Sequence, residues 1–367
     1  MRILFIGEYS NLHTILARQL RAEGHEVHLM SDRNGYLNTP ADIFIERKKG
    51  LFGGAKYLYD LFTLLPRLKD YDVVQLINSN FLFLRPGKIK YFFDKIKAQN
   101  RSVFLTLAGN DYYFVKACCD ARIFKFSEFK IGNDPSPFLK EDPERMYGWI
   151  SGVNRDWSEY LYKNIDGAMS VLPEYDMASR EVLGDRLKFT NLPMEIDSIS
   201  PAPLNIDGPL RLFIGMRGGY ELQKGTKYLL QVAQALEKEY PGRVEVDCVK
   251  NLPFNEYLER LSRSHIVLDQ FYSYSPGMNA LYAMAMGKVA ATGAQPEYYE
   301  YIGNPAERPL ITLSPFEPDV KDTLAAFVED PTPLLRMGEE SRKLVVQHND
   351  VKKVTAAFLS HWSDMMK

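Results

Sequence analysis

The sequence has few cysteines, no long apolar run and a net charge near zero. Each of these absences excludes some classes of protein. Three cysteines occur in 367 residues. Because the number is odd and two of them are adjacent, no disulfide framework is implied, which favours a reducing compartment. No run of about 18 apolar residues occurs, so we expect no transmembrane helix. The formal net charge of −2 gives no bulk attraction to nucleic acid, and no nucleic-acid partner is expected.

Several local signatures are also missing from the sequence. The turn between the first predicted strand and the first predicted helix lacks Gly-x-Gly-x-x-Gly, which argues against a standard dinucleotide-binding enzyme. There is no Gly-x-Ser-x-Gly elbow of a hydrolase and no zinc-ligand spacing. Asp70 and Asp72 have the spacing of a metal-binding pair, but they precede their strand and lie at its amino end, so we expect no metal site. The apolar run before Glu8 is too short for a secretory signal and predicts a first β-strand, and therefore a cytoplasmic protein.

Strands and helices alternate along the chain, which predicts parallel sheets covered on both faces. Short apolar, β-branched runs predict strands, and amphipathic runs between them predict helices. The pattern restarts near Leu210 after a stretch rich in Pro, Asp and Ser, 193–209. We therefore expect two doubly wound α/β domains, 1–202 and 203–350, and residues 112–165 as helices and loops inserted in the first. In such sheets, ligands bind beyond the carboxyl ends of the strands.

Two clusters in the second half could bind an anion. In the first, Arg217, a Gly218-Gly219 pair and Lys224-Gly225 lie between a strand and a helix, an arrangement that suits a diphosphate. The other reading is a surface loop with two solvated cations. In the second cluster, 269–288, a polar loop leads through Gly277 into a helix of small residues. Its first N–H groups could face a phosphate or a sugar hydroxyl, or the segment could be an ordinary strand–loop–helix unit.

The first half offers polar residues at equivalent places. The loop 7–11 follows the first strand, and Asn110 and Asp111 follow the strand predicted over 102–107. All should lie at the carboxyl edge of the sheet. Asp111 is a candidate pocket residue or, equally, the N-cap of the next helix. His13, one turn into the first helix, fits a structural role better than a pocket role.

The order and spacing of these motifs resemble glycosyltransferase family 4 over nearly the whole chain. The matching segments are Gly24-His25-Glu26-Val27, Thr106 with Gly109-Asn110-Asp111, 191–201, Arg217 with Lys224-Gly225, and 274–287, which ends Ala-Met-Ala-Met-Gly. The resemblance implies the GT-B architecture, two Rossmann-like domains facing a central cleft. It also implies that the C-terminal helix, within 351–367, packs back on the first domain.

The resemblance further implies a retaining, metal-independent transferase that needs no cofactor beyond its co-substrate, a nucleotide-diphosphate sugar. The expected acceptor is a glycan or lipid-linked glycan, in surface or capsular polysaccharide biosynthesis. Arg217 and Lys224 would bind the diphosphate and stabilise the leaving charge; with Asp111 they are the expected catalytic residues. The other expected donor-binding residues are Gly7, Ser10, Gly218, Ser275, Gly277, Met278, Asn279 and Tyr282. The expected acceptor or pocket residues are Tyr9, Asn11, His13 and Asn110.

The sequence departs from the family at two positions. Where the family carries Glu, seven residues and Glu, this chain has Tyr274 and Tyr282. A tyrosine hydroxyl can hydrogen-bond but cannot act as a carboxylate. Glu297 and Glu300, after the next strand, could substitute in part. Two other functions therefore stay open: a nucleotide-sugar epimerase on the same fold, and a non-catalytic nucleotide-sugar binder.

One interval, 81–130, combines positive charge with aromatic residues. Its local charge is +6, and Phe81, Phe83, Tyr91, Phe92 and Phe93 are interleaved with the cations. We expect this interval either to form a face that contacts an anionic membrane or to be a solvated helix face over core aromatics. The cations are Arg85, Lys88, Lys90, Lys95, Lys97, Arg101, Lys116, Arg122, Lys125 and Lys130.

Overall fold

The chain divides into two compact units in a computed structural model, which describes residues 1–32, 40–304, 306–316 and 318–366. The first unit contains Met1–Lys116, Tyr147–Met194 and the stretch that begins at Val351. The second unit contains Ala117–Met146 and Glu195–Asp350. Lys367, the last residue of the predicted terminal segment, lies outside the described residues.

The first part of the chain supplies nine strands and eight helices in the described ranges. In chain order they are β1 (Arg2–Ile6), α1 (Leu12–Ala22), β2 (Glu26–Ser31), β3 (Ile43–Phe44), α2 (Gly50–Leu64), β4 (Val73–Leu76), α3 (Pro86–Gln99), β5 (Ser102–Leu107), α4 (Tyr112–Cys118), β6 (Lys130–Ile131), β7 (Asp134–Pro135), α5 (Pro137–Glu141), α6 (Pro143–Ile150), α7 (Gly152–Asn164), β8 (Gly167–Ser170), α8 (Pro173–Leu183) and β9 (Leu187–Phe189).

The rest of the chain supplies the elements of the second unit and the closing helix. They are β10 (Leu210–Met216), α9 (Thr226–Glu239), β11 (Val244–Lys250), α10 (Phe254–Ser262), β12 (Ile266–Leu268), α11 (Met278–Ala285), β13 (Val289–Thr292), α12 (Pro296–Tyr301), β14 (Ile311–Thr312), α13 (Val320–Glu329), α14 (Pro333–Asn349) and α15 (Val351–Met365). Single 3₁₀ turns occur at Leu65–Arg67, Gly184–Arg186 and Ile196–Ser198.

The sheet of the first unit has seven parallel strands in the order β3-β2-β1-β4-β5-β8-β9. Its central strands are fully buried, because β1, β4 and β5 consist almost wholly of apolar residues. The strand order reverses between β1 and β4, where Ile3 pairs with Val73. A crevice at the carboxyl ends of strands forms at such a reversal, so this is where a ligand is expected in this unit.

The sheet of the second unit has five parallel strands in the order β11-β10-β12-β13-β14. Its core is formed by apolar residues of the strands and of α9, α13 and α14, among them Ile214, Leu229 and Leu268. Because β10 and β12 are neighbours in register, with Ile214 opposite Leu268, the loops that follow them lie side by side. The prediction of two parallel α/β sheets is confirmed.

The closing helix α15 belongs to the first unit. Its Trp362 is fully buried, and the indole Nε1 donates to Gln75 Oε1 at 2.9 Å. The rings of Phe5 and Phe104 lie 6.3 and 6.4 Å from that of Trp362. A residue near the end of the chain thus completes the core around β1, β4 and β5.

The observed division differs from the predicted domain bounds 1–202 and 203–350. Residues 117–146, predicted as part of an insertion in the first domain, group with the second unit. The physical reason is a set of contacts with the loops after β10 and β12, described below. The second unit also begins at Glu195 rather than at 203. Among the described residues, no helix combines the length and apolar character that crossing a bilayer requires.

Candidate functional site

The loop after β10 presents the cation predicted to bind phosphate. Arg217 is exposed, and its guanidinium lies over the ring of Tyr220, 4.4 Å from the centroid. A guanidinium stacked on an aromatic face keeps its N–H groups in the ring plane available to an anion. The Gly218 N–H, predicted to face the donor, donates to Asn251 Oδ1 at 3.2 Å. The side chain of Arg217, more than the glycine backbone, is therefore the candidate of this loop for contact with an anion.

Lys224 and Gly225 join this loop to α9. Gly225 has φ +73°, and a Cβ there would lie 2.6 Å from the Phe271 Cβ, so only glycine fits. The Phe271 N–H donates to the Lys224 carbonyl at 2.9 Å. This bond ties the loop after β10 to the loop after β12, and so brings the two predicted clusters together.

Asp269 lies at the point where β12 ends and was not singled out from the sequence. It is buried, and burial raises the pKa of its carboxyl, while the charge of Lys224 and a hydrogen bond from Asn279 lower it. Asn279 Nδ2 donates to Asp269 Oδ1 at 3.3 Å. Lys224 is thus close enough to act electrostatically on Asp269. A carboxylate directly after a buried strand was the sequence signal that could have identified it.

Asp269 also lies at the start of α11, where a phosphate or sugar hydroxyl was predicted. A Cβ at Gly277 would be 3.3 Å from Asp269 Oδ2 and 2.5 Å from Gln270 Nε2. Protein side chains therefore lie against this helix start. Gly277 and Met278 are half-buried, and Ser275 is fully buried, with its carbonyl accepting from Ser273 Oγ at 3.1 Å. The arrangement leaves Arg217 as the most accessible charge of the two loops.

The two tyrosines that stand where glutamates were expected are both buried. The Tyr274 hydroxyl accepts from the Lys125 N–H at 2.6 Å. Its ring stacks on Phe126 with centroids 4.8 Å apart and meets Phe124 edge-on at 5.3 Å. Tyr282 packs against Phe254 at 5.2 Å. Tyr274 therefore holds the segment 117–146 by a hydrogen bond and by ring contacts, and a glutamate at this position would lack the ring contacts.

The same segment contacts the loop after β10. Gln223 Nε2 donates to Glu128 Oε2 at 2.8 Å, and the guanidinium of Arg145 lies 6.0 Å from the Tyr220 ring. Arg145 thus adds a second exposed cation on the ring that Arg217 covers. Sequence reasoning missed Glu128 and Arg145, because no local pattern signals a contact across about 75 to 95 residues.

Of the carboxylates suggested as substitutes, Glu297 lies closer to the Tyr274 loop. It is in the first turn of α12, whose N-cap residue Gln295 donates its N–H to the Tyr274 carbonyl at 2.9 Å. Glu300 is exposed one turn further along. The helix start places Glu297 beside the second cluster and Glu300 away from its first turn.

In the first unit, a small pocket lies at the carboxyl ends of β1, β2 and β4. Gly7, Glu8, Tyr9, Tyr57, Asn80 and Phe83 are among the residues that line it. Gly7 has φ +88°, and a Cβ there would lie 2.2 Å from Ile77 Cγ2, so glycine is required. Ser10 and Asn11, predicted donor and acceptor residues, have left-handed backbones in the turn before α1. Tyr9 reaches the loop after β5: a Cβ added at Gly109 would lie 3.5 Å from Tyr9 Cε2.

Glu8 is the pocket residue that sequence reasoning passed over. Its Oε2 accepts from the N–H and the hydroxyl of Thr14, both at 2.6 Å. Its Oε1 is buried and meets no hydrogen-bond partner in the described part of the chain. Burial raises the pKa of this carboxyl from 4.5 to about 7, although the bonds from Thr14 lower it. Its position directly after the first strand was the signal for it.

His13 has a structural environment. It is fully buried; Nδ1 bonds to the Gly7 carbonyl at 2.8 Å, and Nε2 lies 3.3 Å from the Thr106 hydroxyl. Burial lowers its pKa to about 3, so the ring is neutral near pH 7. A neutral ring that bridges the loop after β1 and strand β5 holds the backbone in place. The geometry favours the structural reading over the predicted pocket role.

Asp111 is likewise engaged on both oxygens. Oδ1 caps α4 by accepting from the Phe114 N–H at 2.8 Å, and Oδ2 accepts from the Tyr162 hydroxyl at 2.5 Å. The carboxyl is buried, and burial raises its pKa. The Asn110 carbonyl accepts from Asn78 Nδ2 at 3.3 Å. The helix-cap reading of Asp111 therefore fits the geometry better than a catalytic one.

The interval 81–130 is divided between the two units. Residues 81–116 belong to the first unit and 117–130 to the second. Phe81, Phe92 and Phe93 are buried in the core, whereas Phe83 and Tyr91 are exposed. Three of the five aromatic residues singled out in this interval are therefore core residues, and membrane contact through the interval stays a prediction.

Solved structures share this fold at low sequence identity. Sucrose-phosphate synthase from Thermosynechococcus elongatus has a TM-score of 0.62 at 14% identity, with 99% of each chain covered. HepE of Anabaena, in complex with UDP and glucose, has a TM-score of 0.61 at 14% identity, again with 99% of each chain covered. The catalytic domain of starch synthase IV from Arabidopsis thaliana, bound to ADP and acarbose, has a TM-score of 0.63 at 11% identity, covering 100% of this chain and 99% of that one.

These neighbours confirm the predicted fold, that of GT-B glycosyltransferases with two Rossmann-like domains. At such identities the likeness shows the fold and leaves substrate and activity open. No protein-family profile matches the sequence. No curated protein matches it either.

Proposed function

We propose that this chain is a retaining glycosyltransferase of the hexosyl type, which uses a nucleotide-diphosphate sugar and transfers the sugar to a glycan or lipid-linked acceptor. The observation that carries the proposal is the pair of tied loops after β10 and β12, with exposed Arg217 on Tyr220 and Lys224 beside Asp269. Cations at the carboxyl end of a parallel sheet suit a diphosphate. Neighbours of the same fold that hold UDP or ADP support a nucleotide as the ligand.

The proposed chemistry needs charge stabilisation more than proton transfer. As the sugar leaves, negative charge builds on the β-phosphate. Arg217 and Lys224 would stabilise it without a metal ion, and Arg145 is placed to assist. Asp111 is not assigned a catalytic role, since both of its oxygens are engaged. A cytoplasmic location and a place in polysaccharide biosynthesis remain predictions.

The test is binding and turnover of a panel of nucleotide-diphosphate sugars, by calorimetry and by nucleotide release, for the wild type and Arg217→Ala. We expect one nucleotide-diphosphate sugar to bind. The variant should lose at least about a hundredfold in kcat/KM, the usual effect of removing one hydrogen-bond donor to a developing anion. Because Arg217 is exposed, the free energy of unfolding of the variant should differ from that of the wild type by less than about 0.5 kcal/mol. The matched control is Arg336→Ala, an exposed arginine paired with Glu340 on α14.

The products separate the transferase from its alternatives. An elongated acceptor with free nucleotide diphosphate supports transfer, and an altered sugar nucleotide indicates an epimerase. Donor binding with neither product favours a non-catalytic binder, a function supported by the burial of Tyr274 and Tyr282. If no donor binds, the proposal is wrong; if Arg217→Ala binds as well as the wild type, the phosphate site lies elsewhere.

A further inference from the structure

Helix α2 of the first unit carries large apolar side chains in the open. Leu51 and Phe52 are 92% and 94% exposed, and Tyr59 and Phe62 are 68% and 47% exposed. The helix is held to the unit by Tyr57 and Leu61, which are buried. A helix at the surface normally turns polar residues outward, so these four side chains need an explanation.

The exposed residues form one stripe. At about 100° per residue, Phe52 and Tyr59 lie within roughly 20° of each other, and Leu51 and Phe62 lie about 100° or less from Phe52 on the same side. The buried Tyr57 and Leu61 are on the opposite side of the helix. A contiguous apolar stripe on a surface helix marks a site of interaction.

One exposed aromatic residue extends this stripe beyond the helix. The Tyr91 ring on α3, which is about half exposed, lies 5.7 Å from that of Phe62. Phe83 is also about half exposed, but its ring lies 6.5 Å from that of Tyr57, on the buried side of α2. We call the five residues Leu51, Phe52, Tyr59, Phe62 and Tyr91 the α2 face.

Positive charge borders the α2 face. Arg47, Lys48 and Lys49 immediately precede the helix, and all three are exposed. None of the three forms a salt bridge with any residue that the structure describes. Lys56, on the helix, pairs with Asp60 at 2.6 Å. Bulky apolar side chains next to cations that form no salt bridge are complementary to a partner with an apolar interior beneath an anionic outer layer.

We propose that the α2 face docks on an anionic lipid bilayer. Leu51 and Phe52 enter the interface between headgroups, and Arg47, Lys48 and Lys49 contact lipid phosphates. The helix lies in the plane of the membrane, as interfacial helices do. Of the interval predicted over 81–130, only Tyr91 belongs to this surface.

Docking has a consequence for the acceptor, which rests on the proposed function. The buried side of α2 provides Tyr57 to the pocket that contains Glu8, and Phe83, which packs on Tyr57, lines the same pocket. The pocket is therefore separated from the α2 face by the thickness of one helix, about 10 Å. A headgroup layer that covers the α2 face lies near the pocket, which favours an acceptor carried on a lipid.

The test is sedimentation of the full chain with vesicles of phosphatidylcholine, alone or mixed with phosphatidylglycerol. We expect the wild type to bind the mixed vesicles at least about tenfold more tightly, and less tightly as salt rises. Leu51→Ser with Phe52→Ser should weaken this binding at least about tenfold, because both side chains leave the interface. Lys48→Glu with Lys49→Glu should abolish the preference for phosphatidylglycerol.

Matched controls use exposed residues elsewhere in the first unit. Val153→Ser with Val182→Ser removes two exposed apolar side chains, 63% and 45% exposed, from α7 and α8. Lys163→Glu with Lys188→Glu reverses two exposed charges. Both controls should bind vesicles like the wild type.

Three results would overturn the proposal: no vesicle binding by the wild type, binding that Leu51→Ser with Phe52→Ser leaves intact, or a wild-type dimer in solution that the same variant dissociates. Calorimetry with nucleotide sugars, done without vesicles, separates this proposal from the proposed function. Vesicle binding without donor binding leaves the docking surface standing and removes the transferase; the reverse result removes only the docking surface.

Discussion

The loops at the carboxyl ends of the strands carry charged residues in both units, but the two units treat them differently. In the first unit, Glu8 and Asp111 are buried and accept hydrogen bonds from backbone N–H groups and neighbouring hydroxyls. In the second unit, Arg217 is exposed on an aromatic ring and Lys224 is half-buried. Charged loop residues therefore hold the backbone in the first unit, whereas in the second unit they are more accessible to solvent. Position at a strand end is shared, and burial separates structural residues from candidate ligand-binding ones.

The largest expected effect on stability is at Asp111. Asp111→Ala should lower the free energy of unfolding by about 2–4 kcal/mol, because α4 loses its cap and the buried Tyr162 hydroxyl loses its acceptor. Urea denaturation measures the loss, and calorimetry should show unchanged donor binding. Asp111→Asn keeps one acceptor oxygen for the Phe114 N–H and turns an amide N–H toward the Tyr162 oxygen, so it should lose only about 1 kcal/mol. A stable Asp111→Asn protein without turnover would instead make Asp111 catalytic and break the contrast between the units.

The next effect is a pH dependence at Glu8. Its pKa is raised from 4.5 to about 7 by burial, so the stability it contributes is present below pH 4.5 and lost as pH rises through 7. Glu8→Gln should remove this loss: the variant should match the wild type near pH 4.5 and exceed it by about 1–3 kcal/mol at pH 8. Urea denaturation across this range measures it, with exposed Glu181→Gln on α8 as the control.

His13 titrates in the opposite sense and does not obscure this result. Its pKa is lowered from 6.5 to about 3 by burial, so its contribution is present above pH 6.5 and is lost as pH falls toward 3. Both the wild type and Glu8→Gln contain it, so the difference between them reports Glu8. Equal pH profiles for the two proteins would show that Glu8 is solvated in solution.

The smallest effect concerns Tyr274 and sharpens the comparison inside the second unit. Tyr274→Phe should lose about 1 kcal/mol, because the Lys125 N–H loses its acceptor while the aromatic stack remains. Hydrogen exchange should become faster in 117–146, most of all at Lys125. Tyr272→Phe, which changes a half-buried tyrosine two residues away, serves as the control. Unchanged exchange at Lys125 would contradict the role of Tyr274 in holding this segment.

Much of the fold could be predicted, because buried parallel strands are short apolar runs and their helices have clear periodicity. The strand predicted over 102–107 is β5 to the residue, and the predicted restart of the pattern near Leu210 is the first residue of β10. Helix α2 escaped prediction because it is apolar on both sides and contains Gly53 and Gly54, so it has no amphipathic period. The two-residue strands β3 and β14 are too short for any pattern.

The positions of the site residues along the chain could be predicted from the sequence, but their burial and contacts could not. The sequence placed Arg217, Lys224 and Gly277 at strand ends, and the structure brings their loops together. It could not show that Asp111 and His13 are enclosed, or that Asp269 lies at the start of α11, since burial depends on distant parts of the chain. The segment 117–146 is the clearest case: Lys125 meets Tyr274 across 149 residues.

The position of α15 affects how the chain is made. Strand β1 leaves the ribosome long before α15, yet the core around β1 is completed by Trp362 of α15, which bonds to Gln75. The second unit, apart from 117–146, is synthesised as one stretch, 195–350, and all of its residues emerge before α15 does. During translation, the core of the first unit therefore stays incomplete until α15 emerges, whereas all core residues of the second unit are already present. Nascent chains stalled before 351 should be the ones that depend most on chaperones.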